Sequence, residues 1–359
     1  MSGGVDSAVA AARLLDRGHE VIGVTLHLWD YPEEGDAGSH ARCCAPEDQY
    51  DARRMASALG FAHYTFDRRD LFARSVVAPF VEDYLEGNTP SPCTLCNRTV
   101  KLRELFSIAD RLGCDLVATG HYARVERDDA SRPILLAGVD EEKDQSYFLY
   151  AAPRAWLERL VFPLGESTKA EVRAEAVARD LPGATKGESQ ELCFVGDGKG
   201  AYAQFVEQRA QGRVRPGPIV DAHGREVGRH DGIHRFTVGQ RKGLGVAMGE
   251  PVFVVGIDPS TATVRLGRDT DLDATEATVS DLVLHEPVDR PFRATARVRY
   301  RHRGVPVTVE PIAEQPGTAR LRFHERARAV TRGQVAVLYD GPRVLGGGRI
   351  TGAIAGAPA

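Results

Sequence analysis

Long hydrophobic runs are missing from this chain. No stretch approaches the ~20 apolar residues that a membrane-crossing helix needs, and no charged segment leads into a short apolar one near the first glycines. The expectation is a protein with no membrane partner that stays in the cytoplasm. Cysteine is scarce for so long a chain, with six thiols at Cys43, Cys44, Cys93, Cys96, Cys114 and Cys193. That is too few for a disulfide scaffold, and in a reducing compartment such residues serve as thiols, metal ligands or catalytic groups. The glycine pair Gly3-Gly4 is not followed by the spacing that ends in a Walker lysine, which excludes kinase and GTPase chemistry of that type. A strand before those glycines is lacking too, since only Met1 precedes Ser2. The expectation here is a start placed downstream of a first strand, and a sheet without it.

What is present is the composition of a globular protein, 42% apolar and 27% charged, enough for a sizeable core. At 359 residues two or three domains are expected. The net charge of −4 points to no partner, but between residues 291 and 332 ten arginines face three glutamates. A locally basic region of this kind suits nucleic acid.

The opening Ser2-Gly3-Gly4-Val5-Asp6-Ser7 reads as a phosphate cradle. Adjacent glycines let main-chain N–H groups approach an anion closely, the two serines add donors, and the N-terminus of the helix Ala8–Asp16 adds its dipole. Next come a strand over 20–28, a helix from Pro46 to Leu59, a strand over 63–67 and a helix over 70–85. A helix over 98–112, capped by Asn97 and ended by Gly113, precedes a strand over 115–119. This alternation predicts an α/β domain with a doubly wound parallel sheet and its ligand crevice at the carboxyl ends of the strands. Beyond Gln211 short strands broken by glycine take over, and from about Val279 they suit a small β barrel. The domains read as 1–205, 206–277 and 278–359. The clearest barrel strand runs from Arg293 to Arg303, with arginines 297, 299, 301 and 303 on one face.

Cys93-Thr94-Leu95-Cys96 is read as preceding a helix start, where the dipole favours thiolate. Three readings compete: a zinc site completed by Cys43 and Cys44, a redox pair, or Cys96 working with distant Cys193 as nucleophile and sulfur carrier. The loop around Gln190-Glu191-Leu192-Cys193-Phe194 is long enough to be functional.

Six segments in register carry a resemblance. They are the opening Ser-Gly-Gly-Val-Asp-Ser, the Pro92-to-Asn97 loop, Ala118-Thr119-Gly120-His121-Tyr122-Ala123-Arg124, Lys143-Asp144-Gln145-Ser146-Tyr147-Phe148-Leu149, Leu192-Cys193-Phe194 and Thr237-to-Gly245. In order and spacing the chain resembles the tRNA-specific 2-thiouridylases. That resemblance implies an ATP pyrophosphatase (PP-loop) domain that adenylates the wobble uridine of lysine, glutamate and glutamine tRNAs, then replaces O2 with sulfur. It implies that Ser2, Gly3, Gly4, Val5, Asp6 and Ser7 hold ATP with Mg²⁺, and that Leu26 and Gly120 meet the adenosine. Cys193 would carry a persulfide from a sulfur-relay protein or cysteine desulfurase, and Cys96 would release the sulfur, leaving a Cys96–Cys193 disulfide. Ser91, Pro92, Cys93, His121, Lys143, Asp144, Gln145, Arg299, Tyr300 and Gln334 match tRNA contacts. Cys93 departs from the family pattern, which has Asp there with an acid/base role. Cys93, Cys96 and Cys193 could instead hold a 4Fe-4S cluster. Two further alternatives are a PP-loop ligase that needs no cysteine, and a tRNA-binding protein without catalysis.

Overall fold

The computed structural model describes residues 1–30, 46–184, 192–196, 198 and 200–356. Cys43 and Cys44 therefore lie outside the described residues, as do Gln190 and Glu191. The chain divides into two compact units. One comprises Met1–Val77, Cys93–Asp197 and Pro342–Val344; the other comprises Ala78–Pro92, Gly198–Gly341 and Leu345–Ala359.

The first unit is α/β. Its opening helix, Val5–Asp16, starts three residues earlier than the alanine run suggested, with Gly4 as an N-cap in extended conformation. Val5, Ala8 and Val9 bury one face of this helix against Tyr122, Leu164 and Val172. Small residues dominate because the helix must lie close to its neighbours. Strand β1 (Ile22–His27) pairs in parallel with β2 (Ala62–Asp67), and β3 (Val117–Ala118) pairs in parallel with β6 (Leu160–Val161). The strand expected over 115–119 is thus only two residues long. Among the described residues these two parallel pairs are separate sheets. Between the edges of β1 and β3 lies a cleft of about 670 Å³, lined by Ile22, Val24, Leu26, Val117 and Thr119 among others. The main chain of Met1 lies on the β1 edge, its amine donating to the Val24 carbonyl and its own carbonyl accepting from Thr25 Oγ1 at 2.7 Å. A hairpin of β4 (Ala123–Arg127) and β5 (Pro133–Ala137) had no clear signal in the sequence.

The C-x-x-C segment lies within a helix rather than before one. Residues Pro92–Cys96 are α-helical, Asn97–Lys101 form a π turn, and Leu102–Leu112 complete the rod. Pro92 provides the start, since its missing N–H would have been unsatisfied there anyway. Asn97 is consequently no cap but a buried residue of the helix interior, 5% exposed.

The second unit is mostly β. Strands β7 (Gly217–Val220), β8 (Glu226–His230), β9 (Phe253–Asp258) and β10 (Thr263–Gly267) form a sheet in the order β8-β7-β10-β9. It covers a core of Ile219, Phe236, Val254 and Leu266. Strands β11 (Asp273–Leu284), β12 (Phe292–Arg297), β13 (Val305–Pro311), β14 (Ala319–Arg328), β15 (Val335–Asp340) and β16 (Arg343–Ala355) close into a six-stranded barrel through the pairing of β11 with β16. Period-two patterning sets the register: Ala319, Leu321 and Phe323 point into the barrel core, while Arg320, Arg322 and His324 point out. The arginine strand ends sooner than expected. β12 stops at Arg297, and Arg299, Arg301 and Arg303 occupy a turn in which Arg301 adopts a left-handed φ of 61°.

The phosphate loop depends on one glycine above all. Gly3 has φ of 71°, and a Cβ there would sit 2.4 Å from the Asp48 carbonyl oxygen. Gly3→Ala is expected to lower stability by about 2 kcal/mol or more and to abolish nucleotide binding, as measured by thermal melting with and without Mg·ATP.

Candidate active site

The opening loop, expected to be an anion cradle, leads straight into a helix N-terminus. The N-cap Gly4 makes no side-chain capping bond, so the first-turn N–H groups stay available. Ser7 Oγ donates to the Gly4 carbonyl at 2.9 Å, and the Ser2 amide donates to Ser7 Oγ at 3.3 Å. Ser2, Asp6, Ser7, Leu26 and Gly120 all line the cleft, together with His121 and Gln145. Five of the eight residues expected at ATP are therefore on one surface. Gly3 and Val5 are buried instead; Val5 puts its side chain into the core and can meet a ligand only through its main chain.

Asp6 is the junction of the site. Lys169 Nζ donates to both of its carboxylate oxygens, at 2.7 and 2.8 Å, and Tyr122 OH donates to Oδ1 at 2.9 Å. Gly120 packs so near Asp6 that a Cβ would come within 3.1–3.2 Å of it. Lys169 opens a helix, Lys169–Ala178, held by a capping box between Thr168 and Glu171. Arg13 fixes that helix to the phosphate-loop helix by ion-pairing with Glu175 at 2.6 Å and donating to the Pro163 carbonyl and Ser167 Oγ. Lys169 did not stand out in the sequence, and Tyr122 did so only as part of a longer segment. A single lysine after Ser-Thr looks like any first-turn residue.

His121 shares a hydrogen bond of 2.8 Å between Nδ1 and Thr119 Oγ1, and its ring stands edge-on to Phe162. Withdrawal from water, reinforced by the charge of Lys101, pushes its pKa down to about 3. At neutral pH it is thus a neutral donor or acceptor, not a cation. Gln145 is braced by Tyr122, whose amide donates to its Oε1 at 3.0 Å. Asp144 is buried, and its carboxylate accepts from the Gly138 and Ser146 amides and from Ser146 Oγ. Its carboxylate shapes the loop that presents Lys143 and Gln145.

The thiols differ in setting. Cys93 is exposed and Cys96 buried, one turn apart on the same short helix. Cys193, of intermediate exposure, sits in a turn closed by the Val195 amide donating to the Leu192 carbonyl at 3.1 Å. The next residue, Phe194, anchors that turn: its ring packs on Phe72 at 5.5 Å and on Trp29 at 6.3 Å. No disulfide is formed at Cys93, Cys96, Cys114 or Cys193, so the Cys96–Cys193 bond implied by the resemblance is not a standing feature of this state. Among the described residues no three His, Cys, Asp or Glu side chains gather as metal ligands. Cys93, Cys96 and Cys193 in this arrangement therefore do not fit a three-thiolate cluster site.

The basic features belong to the second unit. Arg299, Arg301 and Arg303 are exposed on the β12–β13 turn and alternate with half-buried Tyr300 and His302. Burial, then the charges of Arg299 and Arg297, push the His302 pKa down to about 4. The β14 arginines are partly neutralised: Arg320 and Arg322 lie 3.6 and 3.4 Å from Glu276, and Arg322 also lies 3.5 Å from Glu310. Gln334 donates to the carbonyls of Thr89 and Pro90, both at 3.1 Å. It thereby holds the segment that leads into Ser91, Pro92 and Cys93.

Two measurements check this geometry. Phe194→Ala removes about 3–5 kcal/mol of packing from the Cys193 turn and should raise the rate of Cys193 alkylation by iodoacetamide, leaving that of Cys96 unchanged. His121 has a folded-state pKa below its unfolded value, so the unfolded chain takes up the proton first. Its contribution is full above pH ~6.5 and declines as pH falls towards 3, with a limiting slope of ~1.4 kcal/mol per pH unit. Urea denaturation at pH 7 and pH 5 should show a smaller loss for His121→Gln than for the parent.

Three family models match successive parts of the chain: a tRNA methyl transferase HUP domain over residues 1–197, a tRNA methyl transferase PRC-barrel domain over 203–268, and an aminomethyltransferase beta-barrel domain over 274–350. The tRNA-specific 2-thiouridylase MnmA of Sorangium cellulosum is 58% identical over 358 residues, which is 99% of this chain and 91% of that protein. The proteins of the same name from Geotalea uraniireducens and Moorella thermoacetica are 45% and 46% identical. Alignments cover 99% and 98% of this chain, and 94% and 98% of theirs. The chain belongs to the tRNA-specific 2-thiouridylase family.

Proposed function

We propose that this protein is an ATP-dependent tRNA uridine 2-sulfurtransferase acting in the cytoplasm on the wobble uridine of lysine, glutamate and glutamine tRNAs. The observation that carries the reading is the convergence of Ser2, Asp6, Ser7, Leu26, Gly120 and His121 on one cleft, in a chain that carries both Cys96 and Cys193. Methyl transfer, the word in two of the domain descriptions, calls for neither a phosphate cradle nor a thiol pair. A PP-loop ligase without thiol chemistry would leave the anchored Cys193 turn without a purpose.

The conjugated carbonyl oxygen of uridine is a poor leaving group, so it must first be activated. Uridine O2 attacks the α-phosphorus of ATP, the bond to the β-phosphate breaks with its electron pair leaving on pyrophosphate, and the N3 proton passes to water. Mg²⁺ arriving with ATP would offset phosphate charge, with Asp6 as its carboxylate ligand. The terminal sulfur of a Cys193 persulfide then attacks C2 and AMP departs with the original O2. Attack by the Cys96 thiolate on Cys193 Sγ releases the thiolated base and leaves a Cys96–Cys193 disulfide, which a dithiol reductant reopens. The persulfide sulfur comes from a relay protein or a cysteine desulfurase. Arg299 and Tyr300 on the barrel turn suit phosphate contact and base or sugar stacking, while Cys93, His121, Lys143 and Gln145 of the first unit would border the target nucleotide. Neutral His121 is suited to hydrogen bonding rather than to charge.

The order of events makes the cysteines separable from the adenylating loop. Cys193→Ser and Cys96→Ser are expected to lose thiolation by about 100-fold or more while retaining tRNA-dependent pyrophosphate release. Mass spectrometry of the wobble nucleoside beside a pyrophosphate assay reads both. Thiolation that survives Cys193→Ser would refute the sulfur-carrier role.

A further inference from the structure

We propose that Cys93 is the resolving thiol of the thiolation cycle: it attacks the Cys96–Cys193 disulfide at Cys96 and converts it to a Cys93–Cys96 disulfide, freeing Cys193 for the next sulfur. The inference rests on the sulfur-transfer reading above and goes beyond it by giving Cys93 a chemical step and the reductant a point of entry.

The fold keeps these two thiols together and separates them by access. Cys93 and Cys96 lie three residues apart on the helix Pro92–Cys96, which puts them on one face with Cβ atoms about 5–6 Å apart. A disulfide spans Cβ atoms about 3.5–4.5 Å apart, so a shift of about 1–2 Å within the first helical turn closes the bond. Cys93 is exposed, whereas Cys96 is 5% exposed and its neighbours Thr94 and Asn97 are buried as well. A reductant in solution therefore meets Cys93 and not Cys96. Cys193 is a poorer entry point than Cys93, because it is only of intermediate exposure and its turn is fixed by Phe194 against Phe72 and Trp29. Cys114 follows the far end of the rod that continues through Leu102–Leu112. At ~1.5 Å per residue it lies roughly 25 Å from Cys96 and cannot compete.

The step is a thiol–disulfide exchange. Cys93 gives its proton to water, its thiolate bonds to Cys96 Sγ, and the Cys96–Cys193 bond breaks with the electron pair leaving on Cys193. No electrons are gained or lost overall. A dithiol reductant then attacks the exposed sulfur of Cys93, supplies two electrons and two protons, and returns Cys93 and Cys96 to thiols as it becomes a disulfide itself. Attacker and target share one helical turn, so the exchange is unimolecular. Direct reduction of Cys96–Cys193 would instead wait on an encounter at a bond with one sulfur buried.

Disulfide mapping after one anaerobic turnover tests the step on the full chain. The parent is loaded with sulfur by a cysteine desulfurase and cysteine, freed of both, and given Mg·ATP and tRNA without reductant. It is then quenched in acid, alkylated and digested for mass spectrometry. The expected bond is Cys93–Cys96 with Cys193 alkylated, and in Cys93→Ser it is Cys96–Cys193. A parent that keeps Cys96–Cys193, or that bonds to Cys43, Cys44 or Cys114, overturns the proposal. So does a Cys93–Cys96 bond that forms equally without tRNA. Continuous turnover with desulfurase, cysteine and dithiothreitol gives a second readout, the ratio of steady-state to first-turnover rate, in which a change in tRNA affinity cancels. Cys93→Ser should lower that ratio at least about tenfold, and a ratio within about twofold of the parent's contradicts the step. A parent that forms no 2-thiouridine, or forms it without any disulfide, refutes the sulfur-transfer reading itself and the Cys93 step with it. Formation of 2-thiouridine with Cys96–Cys193 retained refutes the Cys93 step alone.

Discussion

The carboxylate of Asp6 ties together three stretches of chain that the sequence keeps far apart. The phosphate loop contributes Asp6 itself, the segment after β3 contributes Gly120 and Tyr122, and the helix from Lys169 contributes the ammonium. A charged group half-withdrawn from water is costly unless each of its lone pairs is met, so these partners must all be in place for the loop to hold its shape. The packing around Asp6 follows from that constraint. The alanine face of the first helix allows the close approach, Gly120 allows the backbone contact, and Arg13 secures the helix that delivers Lys169.

The thiols follow another rule. Cys193 is placed by its neighbour, because Phe194 is locked among Phe72 and Trp29 while the thiol itself stays partly accessible. Cys96 is placed by being inside a helix, one turn beyond exposed Cys93, where a π turn begins. Such turns recur at functional sites because they displace side chains from the regular helical register. Within the second unit, the Gln334 amide holds the Thr89 and Pro90 carbonyls.

Much of this was legible beforehand. Gly3-Gly4 beside serines implied the cradle, and short strands broken by glycine after Gln211 implied the barrel. The failures have physical causes. Arg297 to Arg303 alternates as a strand would, but the chain turns after Arg297 and Arg301 takes a left-handed conformation. The count of arginines over 291–332 also overstates free charge, because Arg320 and Arg322 lie beside Glu276 and Glu310 from other strands. Asn97 had the right side chain for a cap, but Pro92 had already started the helix. Lys169 and Tyr122 were invisible as site residues because their importance is a tertiary distance to Asp6, which no local pattern encodes.

The central claim is that the phosphate loop activates the uridine oxygen itself. A tRNA bearing ¹⁸O at O2 of the wobble uridine, incubated with the protein, ATP and a sulfur source, tests it most directly. The account predicts that AMP recovered after thiolation carries one ¹⁸O atom, because O2 leaves bonded to phosphorus. Unlabelled AMP accompanying 2-thiouridine formation would contradict it.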